Sequence, residues 1–210
     1  MMIFLLMLKR PFIWIKRFRH RCGYGVHSPF AFNFITQVVY GKPLPQRYQE
    51  LKKEEKKFNL AREGGNSCEL LRVKRFLLRL IDWLHPYAIV DVGPISSSSI
   101  YLKANEREFS YTAATDLSEL FLEKDIPIDF LYLHYYNDPE FVKEVFDVCV
   151  SRVSEKSVFV IHGICYSSKM KEMWRSIQED ARVGITFDLY DLGVIFFDRE
   201  KIKQHYLVNF

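Results

Sequence analysis

Leu70, Val73, Leu77, Leu80, Ile81 and Leu84 recur three and four residues apart, the spacing of one apolar helical face. Asn66 followed by Glu69 resembles a capping box at the start of that helix, and Pro86 ends it. The period then changes. Residues 87–92 form a short apolar run closed by Gly93-Pro94, as expected of a buried strand. Helix and strand patterns alternate from there. Residues 97–105 predict a helix, 109–114 a second strand, and 116–124 a short helix capped by Asp116. Residues 129–134 predict a third strand. A helix follows over 139–153, with Phe141, Val145, Val148 and Cys149 on one face. Residues 157–162 predict a fourth strand and 169–181 another helix. Strands over 185–190 and 194–198 are joined through Asp191-Leu192-Gly193. Strands so close must be antiparallel, because a parallel pair needs a crossover of about a dozen residues or more. The expected fold class is α/β: a Rossmann-like, doubly wound, mostly parallel sheet ending in an antiparallel hairpin.

The chain before residue 66 is less regular. Gly23, Gly25, Pro29, Gly41, Pro43, Pro45, Gly64 and Gly65 punctuate it. Between them, residues 29–40 predict one short helix and 51–57 a solvated, charged helical face. The first eight residues are all apolar, far fewer than the ~20 that span a bilayer. The charge follows the apolar run, opposite to the order in a signal peptide. Lys9-Arg10, Phe12-Ile13-Trp14-Ile15, Lys16, Arg17, Arg19 and Arg21 then interleave basic and apolar residues, as in an interfacial helix. Pro11 is expected to break that helix. The pattern predicts a basic N-terminal extension over 1–66, helical or irregular and packed on an α/β domain of residues 67–210. Peripheral membrane contact through residues 1–21 is one alternative use of the extension, and docking on a second subunit is another.

Composition narrows the class. Of 210 residues, 49% are hydrophobic and 16% aromatic, enough for a packed core, which excludes general disorder. Cys22, Cys68, Cys149 and Cys165 form no C-x-x-C pair, so a metal ribbon or a thioredoxin-type motif is excluded, and the reducing cytoplasm is the expected location. The net charge of +4 conceals an asymmetry: residues 1–80 sum to +12 and residues 81–210 to −8. The basic part can face nucleic acid, an anionic membrane or the acidic part of its own chain, and the last is the most economical. No nucleic-acid recognition motif is present, so nucleic acid is not an expected partner.

Four segments carry a resemblance. Ile89-Val90-Asp91-Val92-Gly93 is an apolar strand ending in an acid and a glycine. Val158-Phe159-Val160-Ile161 is followed by Ser167, Met170 and Trp174. The run from Phe187 through Asp191-Leu192-Gly193 to Phe197 closes the chain, and Gly25-Val26-His27-Ser28-Pro29-Phe30 lies near its front. In this order they resemble the class I S-adenosylmethionine-dependent methyltransferases, and among them a Bacteroidetes-type group of small O-methyltransferase-like proteins. The resemblance runs from about residue 17 to 198. It implies S-adenosylmethionine as cofactor and a small-molecule methyl acceptor. It assigns cofactor contacts to Asp91, Gly93, Ser96, Ser97 and Asp116, the last as ribose acceptor or as helix cap.

The motifs are degenerate. Gly93 is followed by Pro94-Ile95-Ser96-Ser97-Ser98-Ser99 in place of a glycine-rich loop, and these serines can contact a cofactor or merely cap and turn. Residues 115–128 leave no room for the edge strand and helix that the family inserts there. Where the family places acids after two strands, this chain has His134 and His162. These are the candidate catalytic residues, since imidazole can serve as a base near neutral pH. With no obvious third ligand, they predict no metal site. Two readings remain open. One is an active methyltransferase with a remodelled pocket. The other is a catalytically silent binding or assembly module on the same fold, and a homo-oligomer is compatible with either.

Overall fold

The computed structural model describes residues 2–42, 45–61, 69–104, 108–121 and 127–210. They form two compact units. The first comprises residues 1–85, 95–108 and 210, and the second 86–94 and 109–209. The boundary expected near residue 66 falls outside the described residues.

The first unit is helical. It contains α1 (Met2–Lys16), α2 (Pro29–Asn33), α3 (Pro45–Ala61), α4 (Leu71–Leu84) and α5 (Ser98–Leu102). α1 continues through Pro11, contrary to expectation. A proline removes one backbone donor, and here that loss does not end the helix. Ser28 caps α2 by accepting from the Ala31 amide, and Pro29 follows at the first helical position, where its missing donor costs nothing. The helix then widens into a π-helical turn over Phe34–Val39. Arg79 of α4 holds the end of that turn, donating to the Val38 carbonyl at 2.6 Å and to that of Val39 at 2.9 Å. Burial, with Arg75 nearby, lowers the Arg79 pKa to about 10. α4 begins at Leu71 with Leu70 in the cap position, so the expected Asn66–Glu69 box does not cap it. Asn66 itself lies outside the described residues. Val73, Phe76, Leu77, Leu80 and Ile81 form the buried stripe that the sequence predicts.

Beneath α3, α4 and α5, Tyr48, Leu51, Leu78 and Tyr101 pack as a small core. Beside it lies a polar cluster. Lys74, 3% exposed, donates to the Glu55 carboxylate, which also accepts from Tyr101 Oη at 2.7 Å and from Ser97 Oγ at 3.3 Å. Burial raises the Glu55 pKa, but the combined bonds from Lys74, Tyr101 and Ser97 outweigh it and leave the carboxyl below its ordinary value. Burial and the Glu55 bond push the Tyr101 phenol upward.

The second unit is built on a seven-stranded sheet: β1 (Ala88–Val92), β2 (Ser110–Ala114), β3 (Phe130–Leu133), β4 (Val158–His162), β5 (Ile185–Asp188), β6 (Leu192–Phe196) and β7 (His205–Leu207). The order across it is β2-β1-β3-β4-β6-β5-β7. β1, β2, β3 and β4 pair in parallel, and β6 runs antiparallel to both of its neighbours. This is the mostly parallel, Rossmann-like sheet with a C-terminal antiparallel hairpin expected from the sequence. β2 is an outer strand, and residues 115–128 carry, where described, only the short α6 (Leu117–Phe121).

Two details differ. Leu192 and Gly193 belong to β6, and the reversal is made by Tyr190 in the left-handed region at φ 71°, its amide bonded to the Asp188 carboxylate. The hairpin is also not the last element of the sheet, because β7 adds in parallel outside β5. α7 (Pro139–Cys149) and α8 (Ser168–Glu179) are capped by Asp138 and Ser167. Their apolar stripes pack on one sheet face against Val90, Val92, Leu131, Leu133, Phe159 and Ile161. Among the described residues no helix is long and apolar enough to cross a membrane.

The Glu55 cluster generates a prediction. Glu55→Ala strands the buried Lys74 ammonium and should cost about 3 kcal/mol, near the low end for breaking a buried pair. Because its folded pKa is depressed, Glu55 contributes stability that is complete above its unfolded pKa of about 4.3. That contribution disappears as pH falls through the lower folded value. Urea midpoints measured from pH 6 to pH 3 should therefore fall less steeply for Glu55→Gln than for the unaltered protein. Parallel curves would refute the assignment.

Candidate functional site

Parallel register decides which side chains meet. Residues in register across parallel strands point to the same face, and residues two apart along a strand share it. Asp91 pairs with Ala113 of β2 and with Tyr132 of β3, and Tyr132 pairs with Val160 of β4. Tyr111, Asp91, Tyr132 and His162 therefore share one face. The backbone bond from the His134 amide to the Val92 carbonyl, at 3.0 Å, carries β3 one step past its end. That step brings His134 into the same row.

Asp91 lies between two partners. Tyr111 Oη donates to its Oδ2 at 2.6 Å, and His134 Nε2 stands 3.0 Å from its Oδ1. The second approach is a close polar contact, not an aligned hydrogen bond, because Oδ1 has no donor aimed at it. Asp91 and His134 are both buried, at 6% and 5% exposure, so the contact is made out of water. Tyr132 stacks on the His134 ring at 4.8 Å and 13°.

Gly93 follows Asp91 by two residues. At φ 147° it adopts a backbone conformation that L side chains rarely take, and its amide donates to the Ala114 carbonyl at 3.0 Å. A Cβ at this position would come within 2.8–2.9 Å of three atoms of the His134 ring. The space that a side chain at this position would take is therefore occupied by imidazole.

A second cluster stands at the end of β4. Tyr166 Oη donates to Asp191 Oδ1 at 3.0 Å and lies 3.3 Å from His162 Nε2. Tyr136 meets the rings of His162 and Tyr166 edge-on, at 5.4 and 5.2 Å. Gly163, at φ 77°, makes this possible, since a Cβ there would sit 2.5 Å from Tyr136 Cβ. Tyr132 lies between the two histidines, its ring 6.4 Å from that of His162. Among the described residues no three His, Cys, Asp or Glu side chains converge as a metal ion would require.

The remaining predicted residues are engaged locally. Asp116 Oδ1 accepts from the Ser118 amide at 2.8 Å, the Ser118 hydroxyl at 2.5 Å and the Glu119 amide at 3.2 Å. It is the cap of α6, and the Ser118 and Glu119 bonds hold its carboxyl below the ordinary range. In the helical unit, Ser96 and Ser98 share a 2.5 Å hydroxyl contact. Ser97 occupies the cap position of α5 but makes no side-chain cap bond, its hydroxyl going instead to Glu55. The structure thus brings together Asp91, Gly93 and His134, with His162 beyond Tyr132. Asp116 follows two residues after Ala114, whose carbonyl accepts from Gly93, and its hydrogen bonds among the described residues go to the first turn of α6. Sequence reasoning missed Tyr111, Tyr132, Tyr136, Tyr166 and Asp191. The one available signal was the four-residue spacing of His162 and Tyr166.

No family model matches the chain, and no curated protein matches it. Solved structures do. The O-methyltransferase from Bacillus cereus in complex with SAH is 13% identical over 76% of this chain and 94% of its own, with a TM-score of 0.50. Cofactor-bound Rv0187 from MTB is 10% identical over 81% and 97%, with a TM-score of 0.56. SAH-bound methyltransferase PaMTH1 from Podospora anserina is 8% identical over 81% and 96%, with a TM-score of 0.55. At these identities the likeness is one of fold: this chain has the fold of class I S-adenosylmethionine-dependent O-methyltransferases.

The packing of Gly93 on His134 is testable by a double-mutant cycle. Gly93→Ala should destabilise by about 1–3 kcal/mol through strain and overpacking. Adding His134→Ala removes the ring that the new methyl meets, so the two changes should couple by about 1 kcal/mol. Additive urea midpoints would show that the ring does not fill the turn.

Proposed function

We propose that this chain is a methyltransferase-fold protein whose cofactor turn has been closed by its own side chains, and that it serves as a binding or assembly module without methyl transfer. The observation that carries this reading is the His134 imidazole packed over Gly93 and against Asp91. A methionine moiety bound in the manner of this fold needs that glycine face open. A ribose needs a carboxylate at the end of β2, and the nearest candidate, Asp116, accepts three bonds from the first turn of α6. The residues present therefore do not fit S-adenosylmethionine. Chemistry at the strand ends is affected separately. His134 and His162 are buried beside Asp91 and Tyr166, and neither supplies the negative charge of the acids they replace.

Within the fold, the four motif segments support a relationship to the Bacteroidetes-type O-methyltransferase-like group, with degenerate motifs.

Calorimetric titration of the purified chain with S-adenosylmethionine and with S-adenosylhomocysteine tests the proposal. Losing two or three buried ligand contacts, at roughly 2 kcal/mol each, weakens binding by about 10³–10⁴-fold. No saturable heat is therefore expected at ligand concentrations of tens of micromolar. A dissociation constant in the low micromolar range would overturn the reading and restore the active, remodelled methyltransferase. In that case Asp116→Ala tells whether the cap also holds the ribose.

A further inference from the structure

We infer that α1 and the turn after it form a docking surface for an anionic lipid bilayer, which the chain binds peripherally. A helix on a water-soluble protein normally turns its polar face outward. α1 does the reverse. Leu8, Pro11, Phe12 and Ile15 fall within about 100° of one another on the helix, and all are exposed, Phe12 at 75% and Ile15 at 65%. The opposite side, with Arg10, Ile13 and Arg17, is the half-buried one. Trp14 and Phe18 continue the apolar surface, packed edge-to-face at 5.2 Å and both largely exposed. The Arg21 guanidinium stands 5.2 Å from the Trp14 ring and 5.4 Å from that of Phe18.

Charge identifies the occupant. Lys9 and Lys16 border the apolar face, Arg19 follows it, and residues 1–49 contain no Asp or Glu at all. A second copy of this chain is a poor fit, because a two-fold contact through this face would bring Lys9 and Lys16 of both copies together without a compensating acid. An anionic bilayer satisfies both properties. Its headgroups neutralise the lysines and arginines, and the acyl boundary takes up Phe12, Ile15 and Trp14. The helix lies in the interface and does not cross it.

Sedimentation of the full chain with vesicles tests the proposal. One set is phosphatidylcholine alone, and the other contains about 30% phosphatidylserine at 0.15 M salt, where the Debye length is about 8 Å. Binding is expected only to the anionic set, and it should weaken as salt is raised. Phe12→Ser with Ile15→Ser should reduce it at least about ten-fold. Lys9→Ala with Lys16→Ala should reduce it roughly five-fold per residue. All four positions are exposed, and unchanged circular dichroism would show that the fold survives. Failure to sediment with anionic vesicles, equal binding to both sets, or retention by the Phe12/Ile15 variant would each overturn the proposal. So would salt-sensitive binding to duplex DNA or RNA without vesicle binding. A dimer in sedimentation equilibrium that is abolished by the Phe12/Ile15 change, with no vesicle binding, would assign the face to a second copy instead.

Discussion

All side chains of β1, β3 and β4 are shielded from solvent, so the polar groups on these strands can be met only from inside the protein. That constraint governs the centre of the second unit. Asp91 cannot be solvated where it stands, and it is met by Tyr111 on one side and His134 on the other. His162 ends a fully buried strand, and it is met by Tyr166, whose hydroxyl is anchored on the equally buried Asp191. Tyr132, stacked between the imidazoles, supplies the wall that both clusters share. The imidazole that packs against Gly93 is thus one of the groups that meet the polar strand ends.

The strands and long helices were legible because each is a patterned run of apolar residues within a short window. The same logic explains the misses. β7 has only three residues and no apolar run, and its identity as a strand depends on the unpaired edge of β5, more than fifteen residues earlier. α4 starts later than its pattern suggests, because Leu70 is extended and the helix begins at Leu71 without a side-chain cap bond. The passage of α1 through Pro11 ran against a local rule that context can override.

At the candidate site, the division lies between local and distant contacts. The cap formed by Asp116 was readable because its partners, Ser118 and Glu119, lie two and three residues away. His134 and His162 could be picked out as strand-end residues from their positions alone. What they touch could not. Tyr111 comes to Asp91 from 20 residues away, and Asp191 to Tyr166 from 25. The packing of the His134 imidazole against Gly93 is likewise a tertiary fact, with no trace in the local sequence.

The addition of β7 has a consequence for the solubility of the protein. Without it, the outer edge of β5 would present unpaired amides and carbonyls beside Ile185 and Phe187, a template for pairing with another chain. β7 covers that edge with His205, Tyr206 and Leu207. Lys203, in the segment leading into it, adds a positive charge near the rim, while Lys201 is paired with Asp198. A short strand near charged residues discourages sheets from joining edge to edge, so this last strand acts as a guard against aggregation.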